Sequence, residues 1–129
     1  MRLLLDTHAF LWWVFGDPKL SREARLALAD NEANEAVVSS ASAWEITTKF
    51  RIGKLPHAAV VARDVGAAIA AEGFTELSIS VGHAQSAGRL GGRHRDPFDR
   101  MLIAQALSED LTLVSNERAF DAYGVKRLW

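Results

Sequence analysis

Five acidic residues could share one site and do chemistry together: Asp6, Glu45, Asp96, Asp99 and Glu117. Carboxylates that converge repel one another, so a group of them is costly unless a cation lies among them. The sequence has no cysteine, and oxygen ligands without thiolates suit Mg²⁺ or Mn²⁺. Such ions activate water and stabilise charge on a phosphate and its leaving oxygen. If these acids converge, they predict phosphodiester chemistry at a divalent-metal site.

Helix capping offers a structural explanation for several of these acids. Asp6 can cap the helix that follows the first strand, and Asp96, which precedes Pro97, has the N-cap pattern. Asp99 falls in the first turn of that helix, where the helix dipole favours a carboxylate. Glu117 can begin the next helix. Both interpretations stay open until the acids are placed in three dimensions.

Glu45 has two structural explanations of its own. It follows Ser42 by three residues, which is the spacing of a capping box. It precedes Lys49 by four residues, which is the spacing of an ion pair along a helix. Taken alone, Glu45 therefore favours a structural role, and only a shared location with the other acids favours a functional one.

The elements that must position these acids are short apolar runs alternating with helical patterns. The apolar runs predict strands, and capping residues with apolar spacing predict the helices between them. The predicted strands are residues 3–5, 36–38, 75–79, 111–114 and 125–128. The predicted helices are residues 9–15, 21–31, a segment from the serines at 39–42 to about 52, 58–72, 81–89 and a segment beginning at 96–97, with one or two turns at 119–123.

Alternating strands and helices predict an α/β fold with a mostly parallel sheet and helices on both of its faces. In such sheets, sites gather beyond the carboxyl ends of the strands. Asp6 ends the first strand, Ser39 and Ser40 follow the second, and residues 115–117 follow the fourth. Separate segments are thus expected to deliver polar groups to one edge of the sheet.

Size and composition limit the classes of protein that this chain can be. Its 129 residues fit a single domain, and the lack of cysteine excludes disulfides and thiolate metal sites. A net charge of −1 argues against a global basic field for nucleic acids. The apolar start is interrupted by Asp6 and His8, so it predicts neither a membrane span nor a targeting signal. We expect a cytoplasmic protein without a membrane partner.

One local basic segment, residues 88–100, overlaps the proposed site. Arg93, Arg95 and Arg100 could contact the phosphates of RNA, or they could form ion pairs in a solvated loop. His94 is not expected to act as a general base, because a metal can generate the nucleophile. His8 is expected to pack or to form hydrogen bonds.

Four stretches of the sequence resemble the successive landmarks of VapC-type PIN domains, which are the ribonuclease toxins of VapBC toxin–antitoxin pairs. They are LLLDTHAFLWW, SSASAWEITTKFRIGKL, HRDPFDRMLIAQALSEDLTLVSNERAF and the ending YGVKRLW. The resemblance covers nearly the whole chain, in order and at suitable spacing. It implies a single PIN domain over residues 1–129, with a three-layer α/β/α fold and a mostly parallel central sheet. It also implies a Mg²⁺-dependent endoribonuclease, for which Mn²⁺ could substitute, a VapB-like antitoxin and a homodimer.

The same resemblance implies roles for particular residues. Asp6, Glu45 and Asp99 match the family acids that bind the metal and carry catalysis. Asp96 is interpreted first as a helix cap and second as an outer ligand. Thr7 matches a hydroxyl that follows the first acid and would bond to a ligand carboxylate or to water.

The end of the fourth strand departs from the family pattern. Where the family often has Thr-x-Asp, this chain has Ser115, Asn116 and Glu117. Glu117 would bring a longer carboxylate to the fourth acidic position, which leaves open whether it binds metal. Asn116 could contribute a neutral oxygen instead, and Ser115 a supporting hydroxyl.

Two other functions compete with the nuclease interpretation. An aspartyl-nucleophile phosphatase also has an Asp at a strand end, but it expects a second Asp two positions later, where this chain has His8. A non-catalytic interaction module would use the acids only as caps and would not need metal.

Overall fold

A computed structural model describes all 129 residues. Five parallel strands form one sheet in the order β3-β2-β1-β4-β5. The strands are β1 (Arg2–Leu5), β2 (Glu35–Ser39), β3 (Thr75–Leu77), β4 (Thr112–Val114) and β5 (Lys126–Leu128). The central strand β1 aligns Leu5 with Val38 of β2 and with Val114 of β4. The predicted parallel sheet is confirmed, and it is parallel throughout.

Helices connect all but the last two strands, which are joined by a 3-10 segment, Arg118–Tyr123. A further 3-10 turn, Pro56–Ala58, precedes the fourth helix. No helix combines the length and the apolar character needed to cross a lipid bilayer. The helices are α1 (Thr7–Phe15), α2 (Arg22–Ala29), α3 (Ser40–Arg51), α4 (Ala59–Arg63), α5 (Val65–Ala71), α6 (Val81–Arg89) and α7 (Pro97–Glu109).

Helices cover both faces of the sheet because alternate side chains of each strand point to opposite faces. In β1, Leu3 and Leu5 are fully buried on the face covered by α1, α2, α4 and α5. Leu4 is fully buried on the other face, where it packs with Leu102 and Ile103 of α7. The three-layer α/β/α architecture is thereby confirmed.

One predicted helix is wrong in its extent. The sequence predicts a continuous helix over residues 58–72, but the structure has two helices that meet at Asp64. The backbone of Asp64 is extended, with φ −158° and ψ 91°, and its carboxylate accepts a hydrogen bond from Ala67 N at 3.0 Å. Asp64 thus acts as the N-cap of α5 and divides the alanine-rich segment.

The carboxyl ends of β1, β2 and β4 lie together and carry the polar residues that the sequence predicts there. The backbone N–H of Asp6 donates to Val114 O at 3.1 Å, which fixes the end of β1 beside the end of β4. Ser39 ends β2, and its hydroxyl accepts from Ala41 N at 3.0 Å to start α3. Helices α1 and α3 therefore begin at neighbouring points on this edge of the sheet.

Candidate functional site

A small cavity of about 130 Å³ opens at this carboxyl edge. We call it the acidic cavity. It contains all five acids that the sequence singled out, brought together from separate segments of the chain. Its lining consists of Asp6, Thr7, His8, Glu45, Lys49, Asp96, Asp99, Asn116, Glu117 and Phe120.

Asp6 is a buried carboxylate that also caps α1. It is 8% exposed, and its Oδ1 accepts from Ala9 N at 2.8 Å. Burial raises the pKa of Asp6 to about 6, against the hydrogen bonds from Ser115 and from the backbone of Ala9. The negative charges of Glu45 and Glu117 raise it further. Asp6 thus lies within electrostatic reach of two other acids.

Glu45 is held on both of its oxygens. Thr7 Oγ1 donates to Glu45 Oε1 at 2.6 Å, and the same hydroxyl lies 3.0 Å from Ser42 Oγ. Lys49 Nζ donates to Glu45 Oε2, one helical turn along α3. The capping box between Ser42 and Glu45 is wrong, because Ser39 caps α3 and both residues lie inside the helix. The ion pair with Lys49, which the spacing predicts, is confirmed.

Asp99 lies in the first turn of α7 and bonds to a histidine from the preceding loop. His94 Nε2 lies 2.8 Å from Asp99 Oδ2. Burial raises the pKa of Asp99 to about 6, and the hydrogen bond with His94 opposes that rise. The charges of Asp96 and Glu45 raise this pKa further.

The remaining polar residues of the cavity combine lining with capping. Asp96 Oδ1 accepts from Asp99 N at 3.1 Å and caps α7. Glu117 Oε1 accepts from Ala119 N at 3.1 Å and starts the 3-10 segment. Buried Ser115 accepts from Glu117 N at 3.0 Å. The capping roles that the sequence offered for Asp96 and Glu117 are therefore real, and they coexist with a place in the cavity.

The donor chemistry of the acidic cavity fits Mg²⁺ or Mn²⁺. Carboxylate oxygens dominate the lining, with one amide, one hydroxyl, one imidazole and one ammonium and no sulfur. As the side chains stand, no group of three or more Asp, Glu or His is arranged to hold one ion. Asp6, Glu45 and Asp99 each bond instead to a partner of their own.

The loop before α7 presents arginines beside the cavity, but not all of them are free. The Arg100 guanidinium donates to the carbonyls of Leu90, Gly91 and His94, so it stabilises the conformation of this loop. Arg93 and Arg95 are exposed and donate no hydrogen bond to the protein. Of the three arginines proposed for RNA, these two are available for a ligand.

Tyr123 fixes the same loop from the other side. Its hydroxyl accepts from His94 N at 3.0 Å. A Cβ at Gly92, where φ is +79°, would lie 2.4 Å from that hydroxyl, so glycine is required for this approach. Neither the role of Tyr123 nor the bond between His94 and Asp99 was expected from the sequence. The spacing of Lys49 predicted its ion pair with Glu45 but not its place in the cavity.

Comparison with known proteins identifies the family. A family model described as PIN domain matches residues 3–126, which is almost the whole chain. No curated protein matches the chain by sequence.

Solved structures share the fold at low sequence identity. One is a chain of VapBC2 from Rickettsia felis, bound to a DNA fragment from its promoter, with TM-score 0.72, 17% identity and coverage of 99% of this chain and 98% of that one. Another is from DNA-bound VapBC of Salmonella typhimurium, with TM-score 0.71, 19% identity and coverage of 99% and 97%. A third is VapC20 of Mycobacterium tuberculosis, described as a toxin that cleaves the sarcin-ricin loop, with TM-score 0.64, 18% identity and 95% coverage of both chains. At these identities, the likeness shows a common fold.

Proposed function

The chain belongs to the PIN-domain family, and from this premise we propose that it is a metal-dependent endoribonuclease of the VapC type, the toxin of a toxin–antitoxin pair. The observation that carries the proposal is the acidic cavity. Asp6, Glu45 and Asp99 come from three elements and line one space at the carboxyl edge of a parallel sheet. Burial raises the pKa values of Asp6 and Asp99, and the charges of neighbouring acids raise them further, so a bound cation would relieve a cost that helix capping alone leaves in place.

Three acids would hold the cation, and two others would support it. Asp6, Glu45 and Asp99 are the proposed ligands of Mg²⁺, with Mn²⁺ as a substitute. Asp96 and Glu117, which cap α7 and the 3-10 segment, would act as outer ligands. When bound, the ion would activate water and stabilise negative charge on the phosphate.

The other residues of the cavity would orient these acids and the substrate. Thr7 holds one oxygen of Glu45, and the buried Ser115 hydroxyl lies near enough to Asp6 to favour its ionised form. Asn116 lines the cavity with an amide that can accept or donate. Arg93 and Arg95 would bind the RNA backbone through its phosphates, which positions the strand without reading its sequence.

The proposed reaction is hydrolysis of an RNA phosphodiester bond. A water oxygen forms a bond to phosphorus, the bond from phosphorus to the 3′ oxygen breaks, and the 3′ oxygen takes up a proton. The products carry a 5′-phosphate and a 3′-hydroxyl. The ribose 2′-hydroxyl takes no part, so a 2′,3′-cyclic phosphate is not formed.

We also propose a VapB-like antitoxin as the protein partner and a homodimer as the oligomer. The fold likeness to chains from VapBC complexes supports the first. Co-expression with the product of a small neighbouring gene is expected to yield a stable complex that lacks nuclease activity. Light scattering of the isolated protein is expected to give twice the mass of the 14.1 kDa chain.

The experiment that tests the nuclease proposal is incubation of the antitoxin-free protein with transfer, ribosomal and messenger RNA in Mg²⁺, Mn²⁺ or EDTA. Discrete cleavage in either metal, its loss in EDTA and 5′-phosphate ends on the products are the expected results. Products with cyclic phosphate ends would contradict the proposed reaction. Intact RNA of every class would favour the non-catalytic interaction module, in which Asp6, Asp96 and Glu117 are only the caps that they also are.

A further inference from the structure

Lys49 holds a position that the proposed function does not explain. It is the one lysine or arginine among the residues that line the acidic cavity. Its ammonium bonds to Glu45 and lies near enough to Asp96 and Asp99 to feel their charges. A positive side chain thus lies among the acids that would bind the cation.

The two members of this ion pair differ in their access to water. The Glu45 side chain is 4% exposed, whereas that of Lys49 is 27% exposed. A carboxylate so deeply buried needs a cation or several donors beside it. A lysine ammonium on its flexible four-carbon stem can instead swing into solvent at small cost.

The ammonium bonds to the oxygen of Glu45 that does not accept from Thr7. Thr7 holds Oε1 of Glu45 at 2.6 Å, and Lys49 holds Oε2. A divalent cation and an ammonium repel each other, so a cation that binds Oε2 competes with Lys49 for that oxygen. Binding of the metal there therefore favours release of Lys49.

We propose that Lys49 is a built-in counter-ion of the acidic cavity, which neutralises Glu45 in the metal-free protein and competes with the divalent cation for its Oε2. This inference rests on the proposed function, because it assumes that the cavity binds a divalent cation. Lys49 stabilises the fold while no metal is bound and raises the metal concentration at which the site fills.

Mn²⁺ binding to purified protein, measured by titration calorimetry, tests the competition. Lys49→Gln removes the ammonium but keeps a polar side chain, and Lys49→Arg keeps the charge. Arg51→Gln is the matched control, because Arg51 lies on the same helix, is exposed and has no hydrogen-bond partner. Lys49→Gln is expected to bind Mn²⁺ about fivefold more tightly than wild type, the factor that corresponds to an ion pair at the upper end of the ordinary range. Lys49→Arg is expected to bind it as wild type does, and Arg51→Gln to change affinity far less than Lys49→Gln.

Melting temperature gives a second readout. In EDTA, Lys49→Gln is expected to melt below wild type, because its Glu45 is buried without a cation. The rise in melting temperature on adding Mn²⁺ is expected to be larger for Lys49→Gln than for wild type or Arg51→Gln.

Lysine labelling of the wild-type protein provides a test that needs no variant. An amine-reactive reagent followed by mass spectrometry compares Lys49 with Lys54, which is exposed and has no partner. Lys49 is expected to react slowly in EDTA and faster in Mn²⁺, while the rate at Lys54 stays constant. Faster reaction at Lys49 would support the displacement even if Lys49→Gln failed to fold.

The results separate this inference from the function on which it rests. If wild type binds Mn²⁺ tightly and both Lys49→Gln and Arg51→Gln bind it with the same affinity, the counter-ion role is overturned and the proposed metal site is not. Labelling of Lys49 that does not respond to Mn²⁺ would overturn it too. Failure of wild type, Lys49→Gln and Arg51→Gln alike to bind Mn²⁺ would overturn the metal site and the counter-ion role together.

Discussion

Thr7 Oγ1 lies 2.6 Å from Glu45 Oε1, which joins the first turn of α1 to the middle of α3. The two residues are 38 positions apart and both are buried. Only Asp6 separates Thr7 from β1, and α3 follows β2 directly, so this bond depends on the parallel pairing of the two strands. It ties the orientation of a proposed metal ligand to the sheet itself.

Thr7→Val is therefore expected to weaken metal binding about 10- to 100-fold, as the loss of a hydrogen bond to a ligand usually does. Valine keeps the shape of threonine but leaves Glu45 Oε1 without its donor. Thr7→Ser is expected to keep near-normal affinity. Thr47→Val is the control, because that exposed hydroxyl bonds only to the helix backbone. Calorimetry with Mn²⁺ measures the difference, and equal affinity in Thr7→Val and Thr47→Val would contradict the role.

The stability of the metal-free protein is expected to fall as the pH rises from about 4 to 7. The pKa of Asp6 is about 6 in the folded protein against 3.8 for a free side chain, so the folded state binds more protons in this interval. Linkage then lowers the free energy of unfolding as pH increases, by on the order of 3 kcal/mol for Asp6. Asp99, with its pKa also about 6, adds to the fall.

Denaturant unfolding in EDTA at several pH values checks this dependence. Asp6→Asn, which cannot ionise, is expected to flatten the profile, and Mn²⁺ is expected to restore stability to wild type at pH 7. A wild-type stability that rises between pH 4 and 7 without metal would contradict the pKa assignments.

Substitution of the arginines in the loop before α7 is expected to have two different effects, one on RNA binding and one on stability. Replacing both Arg93 and Arg95 with alanine should weaken RNA binding and lower the salt dependence of log K by roughly one to two, with little change in melting temperature. Arg100→Ala should destabilise the protein by about 1–3 kcal/mol, because three carbonyls lose their donor. Binding is measured in an Asp6→Asn background to prevent cleavage. Unchanged RNA affinity in the double variant would remove Arg93 and Arg95 from the site.

Asp64→Ala is expected to cost about 1 kcal/mol of stability, since α5 would lose its N-cap. Asp64→Asn is expected to cost less, because asparagine also caps helices well. Thermal unfolding compares the two. A smaller loss of stability in Asp64→Ala than in Asp64→Asn would show that the cap does not stabilise the break between α4 and α5.

The strands and most helices could be predicted because their signals are local. Leu3–Leu5 reads as a buried strand, and Asp96 before Pro97 marks the start of α7. The break at Asp64 was missed because the alanines on both sides favour a continuous helix. Its signal was present, since an aspartate inside an apolar helical pattern is also a good cap.

The gathering of the acids in one cavity could be predicted because four of them lie at a strand end or at a helix start, and Glu45 lies in the helix that follows β2 at the same edge. Their partners could not. The bond between His94 and Asp99 depends on a loop whose shape is set by Tyr123 and Arg100, which lie far from each other in sequence. The place of Lys49 among the acids depends on how α3 packs against α7. The spacing of residues within α3 does not reveal that packing.

Metal-dependent cleavage by a matched pair of variants tests the central claim most directly. Asp6→Asn removes one charge from the acidic cavity, whereas Asp110→Asn removes one from an exposed ion pair with Lys126 outside it. RNA cleavage in Mn²⁺ is measured for both and for wild type at equal protein concentration. We expect a loss of about 100-fold or more in Asp6→Asn, the usual effect of removing a group that stabilises transition-state charge, and full activity in Asp110→Asn. Equal, metal-dependent activity in all three proteins would contradict the assignment of the acidic cavity as the active site.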